Sequence, residues 1–155
     1  MNDGKDQAEM ATRSAGELLT LSVRLRGLAL GRAIDLFLDR DDLRLVGIEV
    51  LCGDEEHRFL PTAAAKLARD EIAINSPLVL LESAQVDFYR SRTFSFGAIR
   101  GRPVRRRDRD VGVLRDLRLA ADLSVAAIVV GLDGREDVLP FDDSIRFDPR
   151  SRSAA

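Results

Sequence analysis

Residues 31–38 read Gly-Arg-Ala-Ile-Asp-Leu-Phe-Leu, and residues 112–119 read Gly-Val-Leu-Arg-Asp-Leu-Arg-Leu. Each copy has a glycine, an aspartate four residues later and the pattern Asp-Leu-x-Leu. Each then passes through a polar turn into an apolar strand and closes on Leu60-Pro61 or Leu139-Pro140. The distance from glycine to proline is 30 residues in the first copy and 28 in the second. Self-similarity of this kind indicates that one small β unit is duplicated.

The sequence around the two copies also favours strands. Leu19, Leu21, Val23 and Leu25 alternate with polar residues, which is typical of a half-buried strand. Thr62 to Leu67 suits a short helix capped by Thr62, and Ala84 to Arg90 suits another that Ser83 caps. We therefore expect an all-β protein of two tandem small β-barrels packed on each other, with short helical turns after the first Leu-Pro and in the linker.

Domain boundaries follow from the repeat. We predict a disordered leader over 1–16, a first barrel over 17–82, a linker with a short helix over 83–92, a second barrel over 93–148 and a disordered tail over 149–155. Thr93 to Phe96 would open the second barrel. By these bounds the barrels have 66 and 56 residues, which is near the lower limit for a stable isolated core.

The repeat resembles the PRC-barrel family. The resemblance rests on Gly31 to Leu36, Val46 to Val50 and Arg58 to Pro61, and in the second copy on Gly101 to Val104 before Val111-Gly112. It covers roughly residues 17 to 148. The family shares its small barrel with the photosynthetic reaction-centre H subunit and a ribosome-maturation factor, and it includes scaffold and adapter proteins. The resemblance implies a non-enzymatic protein-binding role, with an accessory RNA or ribosome role as the alternative.

Composition narrows the function classes. The formal net charge is −2, and the chain has one histidine, His57, and one cysteine, Cys52. No paired-carboxylate motif, nucleophile–base pair or phosphate loop is present, so we predict no catalytic, cofactor-binding or metal-binding residues. The acidic run Asp54 to Glu56 fits a solvated hairpin tip. No stretch of 18 apolar residues or signal-like start occurs, which predicts a cytoplasmic protein that does not insert into a membrane.

Arginines mark the candidate binding loop. Six of them fall among ten residues, in what we expect to be a hairpin: Arg100, Arg102, Arg105, Arg106, Arg107 and Arg109. Guanidinium groups suit carboxylate or phosphate recognition. Three interpretations stay open, namely a solvated tip, a protein-docking loop and an RNA-contacting loop.

Other candidate residues lie in the linker and in the repeat motif. Phe88 and Tyr89 are expected on a seam between the barrels and form a second candidate partner-binding surface. Gly31 and Gly112 are interpreted as turn glycines that need a positive φ. Asp35 and Asp116 are expected to bond backbone amides, and Pro61 and Pro140 to close each copy. A protein partner is expected, and both an RNA or ribosome partner and homo-oligomerisation stay open.

Overall fold

A computed structural model describes residues 12–82 and 85–147 of the chain. Strands account for 54% of it and helices for 14%, so the predicted all-β class is confirmed. The strands form two sheets, one of which curls into a half-barrel. Two compact units hold these sheets. The central unit comprises Gly16–Phe96, and the composite unit combines the described residues up to Ala15 with those from Gly97 to Phe147.

The strands, in chain order, are Arg13–Ser14 (β1), Ser22–Leu25 (β2), Leu28–Asp39 (β3), Leu45–Cys52 (β4), His57–Pro61 (β5), Ala65–Leu67 (β6), Ile72–Ile74 (β7), Thr93–Ser95 (β8), Pro103–Arg106 (β9), Arg109–Leu119 (β10), Val125–Leu132 (β11), Arg135–Pro140 (β12) and Ile145–Phe147 (β13). Short helices span Ala15–Leu18, Asp87–Arg90 and Phe96–Ile99, and single 3-10 turns span Thr62–Ala64 and Pro77–Val79. No helix of the described residues is long and apolar enough to cross a membrane.

The sheet of the central unit has the order β5-β4-β3-β2-β7-β6, and β8 pairs with the end of β3. All of its neighbours are antiparallel except β2 and β7. The sheet of the composite unit has the order β12-β11-β10-β9-β13, all antiparallel, and β1 pairs with the end of β10. Strands β2 to β5 and β9 to β12 are therefore equivalent meanders, whereas β7 and β13 join them in opposite directions.

The two copies of the motif occupy equivalent positions. Strands β3 and β10 each contain a bulge just before the aspartate, where the register shifts between Ala33 and Asp35 and between Leu114 and Asp116. The Oδ1 atom of each aspartate accepts the amide of the following leucine at 2.8 Å, as predicted. Bulges bend a strand and increase its twist. The spacing of Gly, Asp and Leu that the two copies share thus encodes the same bend in both sheets.

The two glycines do not serve the same purpose. Gly112 has a φ of 129°, as predicted for a residue that needs a left-handed backbone. Gly31 does not have a positive φ, so that part of the prediction was wrong. A Cβ atom at Gly31 would lie 2.5 Å from the carbonyl oxygen of Leu51. Gly31 is required because β3 and β4 approach closely there.

The core of each unit is built from matching positions. Leu36, Ile48 and Leu60 are buried in the central unit, and Leu117 and Ile128 are buried at equivalent positions of the composite unit. Pro61 lies opposite Gly47, and Pro140 lies opposite Ala127, so both prolines close an edge strand at the same register. Gly31 and Gly112 hold equivalent register positions in the two sheets, as do Pro61 and Pro140.

Two boundary predictions were wrong because short strands pair far from their place in the sequence. Residues 13–14, assigned to a disordered leader, form β1 and pair with Leu119 and Arg118; residues 1–11 lie outside the described part. Residues 93–95, assigned to the start of the second barrel, form β8 and pair with Phe37, Leu38 and Asp39 of the central unit. The predicted tail over 149–155 also lies outside the described residues.

The helix predicted over Thr62 to Leu67 was only partly right, because Ala65–Leu67 form β6. A 3-10 turn follows Pro61 as predicted, yet the Thr62 hydroxyl donates to the carbonyl of Leu45 at 3.1 Å and does not cap that turn. Among the described linker residues, 85–92, Asp87–Arg90 alone are α-helical, and the proposed cap Ser83 is outside the described residues.

Candidate functional site

The arginine hairpin, residues 103–110, is built from β9 and the start of β10. Arg105 pairs with Asp110, and Arg106 pairs with Arg109 across the two strands. The turn residues Arg107 and Asp108 both have left-handed backbones, with φ of 49° and 64°. Such a two-residue turn matches the twist of the strands it connects. The strand pairing and the left-handed turn therefore define the hairpin, and the arginine side chains project from this backbone.

The central unit contains the same hairpin with different side chains. Its turn residues, Arg26 and Gly27, have φ of 49° and 82°. Leu25 and Leu28 pair across it, where the composite unit has Arg106 and Arg109. A left-handed backbone suits glycine best, and aspartate tolerates it. The first hairpin has Arg24 and Arg26 where the second has Arg105 and Arg107, so the comparison shows that the hairpin folds with leucine in place of Arg106 and Arg109.

Exposure separates the hairpin arginines into two groups. Arg105, Arg107 and Arg109 are exposed, whereas Arg106 is half-buried. The Nε atom of Arg105 lies 3.5 Å from Oδ1 of Asp110, and the two side chains are 63% and 73% exposed. A pair this exposed contributes little to folding and leaves the guanidinium accessible.

Asp142 lies near the turn of the hairpin. Its pKa is lowered mainly by hydrogen bonds from the hydroxyl and amide of Ser144, with smaller contributions from the charges of Arg106 and Arg107. The Arg107 amide donates to the Ser144 carbonyl at 3.2 Å, which anchors the hairpin to the loop before β13. The Asp142 carboxylate thus offsets part of the charge of Arg106 and Arg107.

Arg106 carries an unsatisfied hydrogen-bond donor. Its Nε atom is buried and has no hydrogen-bond partner among the described residues. It lies opposite Ile145 of β13 and Arg109 of β10, neither of which offers a carboxylate. An unsatisfied buried donor costs free energy, so this arginine is poorly suited to a purely structural role.

Arg100 and Arg102 belong to a different part of the composite unit. The Nε atom of Arg100 donates to the carbonyl of Arg115 at 3.1 Å. Arg102 is half-buried, and its carbonyl accepts the amide of Leu114 at 2.9 Å. The predicted set of six therefore divides into four hairpin arginines and two that flank β10.

A second arginine cluster was missed by the sequence analysis. An open groove of about 520 Å³ is lined by Arg100, Arg115, Arg118, Asp116 and Glu136. The Arg115 side chain lies across Gly131, whose missing Cβ leaves room for its Nε atom. The signal was present in the sequence, because Arg115 and Arg118 stand where the first copy has Ile34 and Phe37. The exchange of apolar for basic residues between copies could have revealed it.

Phe88 and Tyr89 lie in the central unit. The ring of Tyr89 is 4.5 Å from that of Phe59, which is 5.5 Å from that of Phe37. Phe88 meets Tyr89 edge-on at 5.4 Å, is 59% exposed and lies under the guanidinium of Arg92 at 4.2 Å. Tyr89 thus has a packing role inside its own unit, and Phe88 remains an exposed apolar candidate.

The other reactive side chains are either buried or paired. Cys52 is buried, with 8% exposure. His57 is exposed and contacts Oε1 of Glu49 through Nδ1 at 3.0 Å. Asp54 holds Arg58 through two bonds of 2.9 and 2.7 Å. Over residues 12–82 and 85–147 no group of three or more histidine, cysteine or carboxylate side chains could hold a metal ion.

No protein-family model matches the sequence, and no curated protein is significantly similar to it. The family resemblance of the repeat therefore remains a prediction, and the candidate site rests on the geometry of the chain alone.

Proposed function

We propose that the protein is a non-enzymatic, cytoplasmic adapter whose arginine hairpin binds an acidic surface on a partner protein. The proposal rests on one observation. The same hairpin occurs twice in the chain, with the same turn geometry, and only the second copy carries four arginines. The first copy has leucines at the positions of Arg106 and Arg109, so the fold does not require arginine there, and a binding role accounts for these two residues better than a structural one.

The chemistry favours a protein partner. Arg105, Arg107 and Arg109 present planar guanidinium groups that can each bind a carboxylate through two parallel bonds. Asp108 and Asp110 stand among them and are exposed as well, so the surface has mixed charge. A partner with acidic residues and some basic residues complements it. The resemblance to PRC-barrels is in keeping with such a role, since that family includes adapters.

The test uses a matched pair of variants. Arg105 and Arg107 are equivalent to Arg24 and Arg26 of the first hairpin. We expect Arg105→Ser with Arg107→Ser to weaken binding of a fluorescein-labelled polyglutamate peptide by about tenfold, because two charge-assisted contacts are lost. Arg24→Ser with Arg26→Ser removes the same charge from the same kind of turn and should leave binding unchanged.

A capture experiment extends the test to native partners. Replacing Arg105, Arg106, Arg107 and Arg109 with serine should remove the proteins recovered from a native lysate by the wild-type chain. The melting temperature should change little, since Arg105, Arg107 and Arg109 are exposed and the half-buried Arg106 has an unsatisfied donor. If this variant recovers the same proteins in the same amounts, the hairpin is a solvated tip and the proposal is wrong.

A second candidate function, RNA or ribosome association, is favoured by the groove that contains Arg100, Arg115 and Arg118. RNA binding through phosphate contacts depends strongly on salt. For single strands, log K falls by about 0.7 per contact for each tenfold increase in salt concentration. Fluorescence anisotropy with a labelled RNA 12-mer at several salt concentrations distinguishes the two functions. A steep slope that Arg115→Ser and Arg118→Ser reduce would support RNA, as would loss of the captured proteins after nuclease treatment.

A further inference from the structure

Strand β12 forms the outer edge of the sheet in the composite unit. The two-residue turn Asp133-Gly134 closes the pair Leu132 and Arg135, and the amide of Phe141 donates to the carbonyl of Ala126 at 3.0 Å in the same register. In an antiparallel ladder, alternate residues direct their backbone groups toward the neighbouring strand. Arg135, Asp137 and Leu139 therefore face β11, and the backbone groups of Glu136 and Val138 face outward.

Nothing in the described part of the chain pairs with that edge. The side chains along it are accessible, since Glu136 and Asp137 are exposed and Val138 is 39% exposed. An unpaired strand edge is a template for another strand. The charged residues and Pro140 limit the open part of the edge to a short window around Val138.

The central unit shows what covers the equivalent edge. Val138 corresponds to Phe59, because each stands two residues before the closing proline. The Phe59 amide donates to the carbonyl of Leu81 at 2.9 Å, and the Leu81 amide donates back to Phe59 at 2.8 Å. A segment of the chain that follows the turn Pro77–Val79 thus lies antiparallel to β5 at this point.

We propose that the β12 edge accepts an extended segment of a partner protein as an added antiparallel strand, with an apolar residue opposite Val138. The inference deepens the proposed function, because it rests on the chain being a protein-binding adapter and names a second binding mode. Strand addition of this kind obtains affinity from backbone hydrogen bonds and specificity from alternate side chains.

The charge of Asp137 indicates which type of residue follows the apolar residue of the partner segment. Extending the antiparallel register of Phe59 and Leu81 by one residue places Glu82 opposite Arg58, whose guanidinium is bonded to Asp54. The position of Arg58 is taken by Asp137 in β12. Opposite charges across a strand pair are favourable. The segment that pairs with β12 should therefore carry a lysine or arginine directly after its apolar residue.

The same reasoning disfavours a second copy of this chain as the occupant. A symmetric antiparallel pairing of two β12 strands can be centred on Glu136, Asp137 or Val138. The first two place like charges opposite each other, which is destabilising. The third places Glu136 opposite Pro140, whose nitrogen has no hydrogen to donate.

The probe is a fluorescein-labelled peptide of residues 75–82 with Glu82→Lys, Asn-Ser-Pro-Leu-Val-Leu-Leu-Lys, added to the full chain. The matched control peptide keeps Glu82. We expect the lysine peptide to bind more tightly, and Val138→Pro to weaken its binding by about tenfold. Proline is tolerated on an outward-facing edge position, so the strand should persist while its donor is lost. Equal binding by wild type and Val138→Pro would overturn the inference.

Two further measurements keep the test decisive. If Val138→Pro does not fold, hydrogen exchange on the wild type replaces it: the Glu136 and Val138 amides should be slowed by the peptide, and slowing only in β5 would overturn the inference. A dimer in analytical ultracentrifugation that Val138→Pro dissociates would also overturn it, because the occupant would be a second copy. Polyglutamate binding by Val138→Pro is expected to be unchanged, so failure at the β12 edge is separable from failure of the arginine hairpin.

Discussion

At the scale of single residues, the internal duplication provides a reference for almost every side chain of the candidate site. Arg106 stands where the first copy has Leu25, and both are half-buried at the same hairpin position. The leucine satisfies that environment, whereas the arginine leaves a buried Nε atom without a partner. A residue that folds less well than its counterpart points to a role outside folding, since natural proteins retain such costs mainly at functional positions.

The first residue-scale prediction concerns the free-energy cost of the unpaired Nε atom of Arg106. Arg106→Leu should increase the free energy of unfolding by about 0.5–1 kcal/mol, because it removes an unsatisfied buried donor and restores the side chain found in the first copy. Urea denaturation measures the change. Leu25→Arg is the reverse substitution in the first hairpin and should decrease stability by a similar amount. A loss of stability on Arg106→Leu would show that the arginine has a structural role.

The second residue-scale prediction concerns Asp54. The two hydrogen bonds from the Arg58 guanidinium, assisted by the Glu56 amide, lower its pKa from 3.8 to about 2. A carboxyl whose pKa is depressed in the folded state adds stability at pH values above its ordinary pKa. That stability is lost as the pH falls from about 4 to about 2. Asp54→Asn should therefore lose stability at pH 7 and show a smaller decrease between pH 4 and pH 2.

Urea midpoints at pH 7, 4 and 2 give this comparison. Asp41→Asn, in the turn between β3 and β4, is the control because its carboxylate has an exposed position in another hairpin. If Asp54→Asn and wild type lose stability in parallel below pH 4, the pair with Arg58 does not contribute in that window.

At the scale of elements, the long strands were predictable and the short ones were not. Strands β3 and β10 carry the Gly, Asp and Leu spacing together with an apolar alternation, so the local sequence determines both their type and their bulge. Strands β1 and β8 have two and three residues. Strands this short carry no periodicity of their own, and their partners lie far away in sequence, as Arg13 and Leu119 do.

The candidate site was predictable to the same extent. Arginine density identified the hairpin, because charge composition is local. The groove around Arg115 and the open edge of β12 depend on which strands become neighbours, and pairing partners are a property of the whole sheet. The sequence did contain one signal that β1 and β8 belong to equivalent segments of the two copies, although each pairs with a strand of the other copy. Thr12-x-Ser14-x-Gly16 recurs as Thr93-x-Ser95-x-Gly97, with the same spacing that separates Gly31 from Gly112. The duplicated unit therefore begins at Thr12.

At the scale of the whole molecule, each copy of the repeat supplies its first strand to the sheet of the other. The segment that opens the first copy, β1, pairs with β10, and the segment that opens the second copy, β8, pairs with β3. Opposite Arg118 and Phe37, the equivalent serines Ser14 and Ser95 hold matching positions, and the Ser14 hydroxyl also donates to the Asp116 carboxylate. The compact units therefore do not coincide with the sequence repeats.

This exchange predicts how the chain responds to division. A fragment of residues 1–82 contains the first copy but lacks β8, whereas a fragment of residues 16–96 contains the complete central unit. Units of about 80 residues are only marginally stable, so the loss of one paired strand and of the contacts around Phe94 and Phe96 should matter. We expect fragment 16–96 to unfold cooperatively and fragment 1–82 to give a broad transition at lower temperature. Circular dichroism melting and urea denaturation of the purified fragments provide the measurement.

Adding fragment 83–155 to fragment 1–82 should restore cooperativity, because the mixture regains β8 for the first sheet and β1 for the second. If fragment 1–82 alone melts as sharply as fragment 16–96, the exchanged strands do not stabilise the units and the repeat is the independent folding unit.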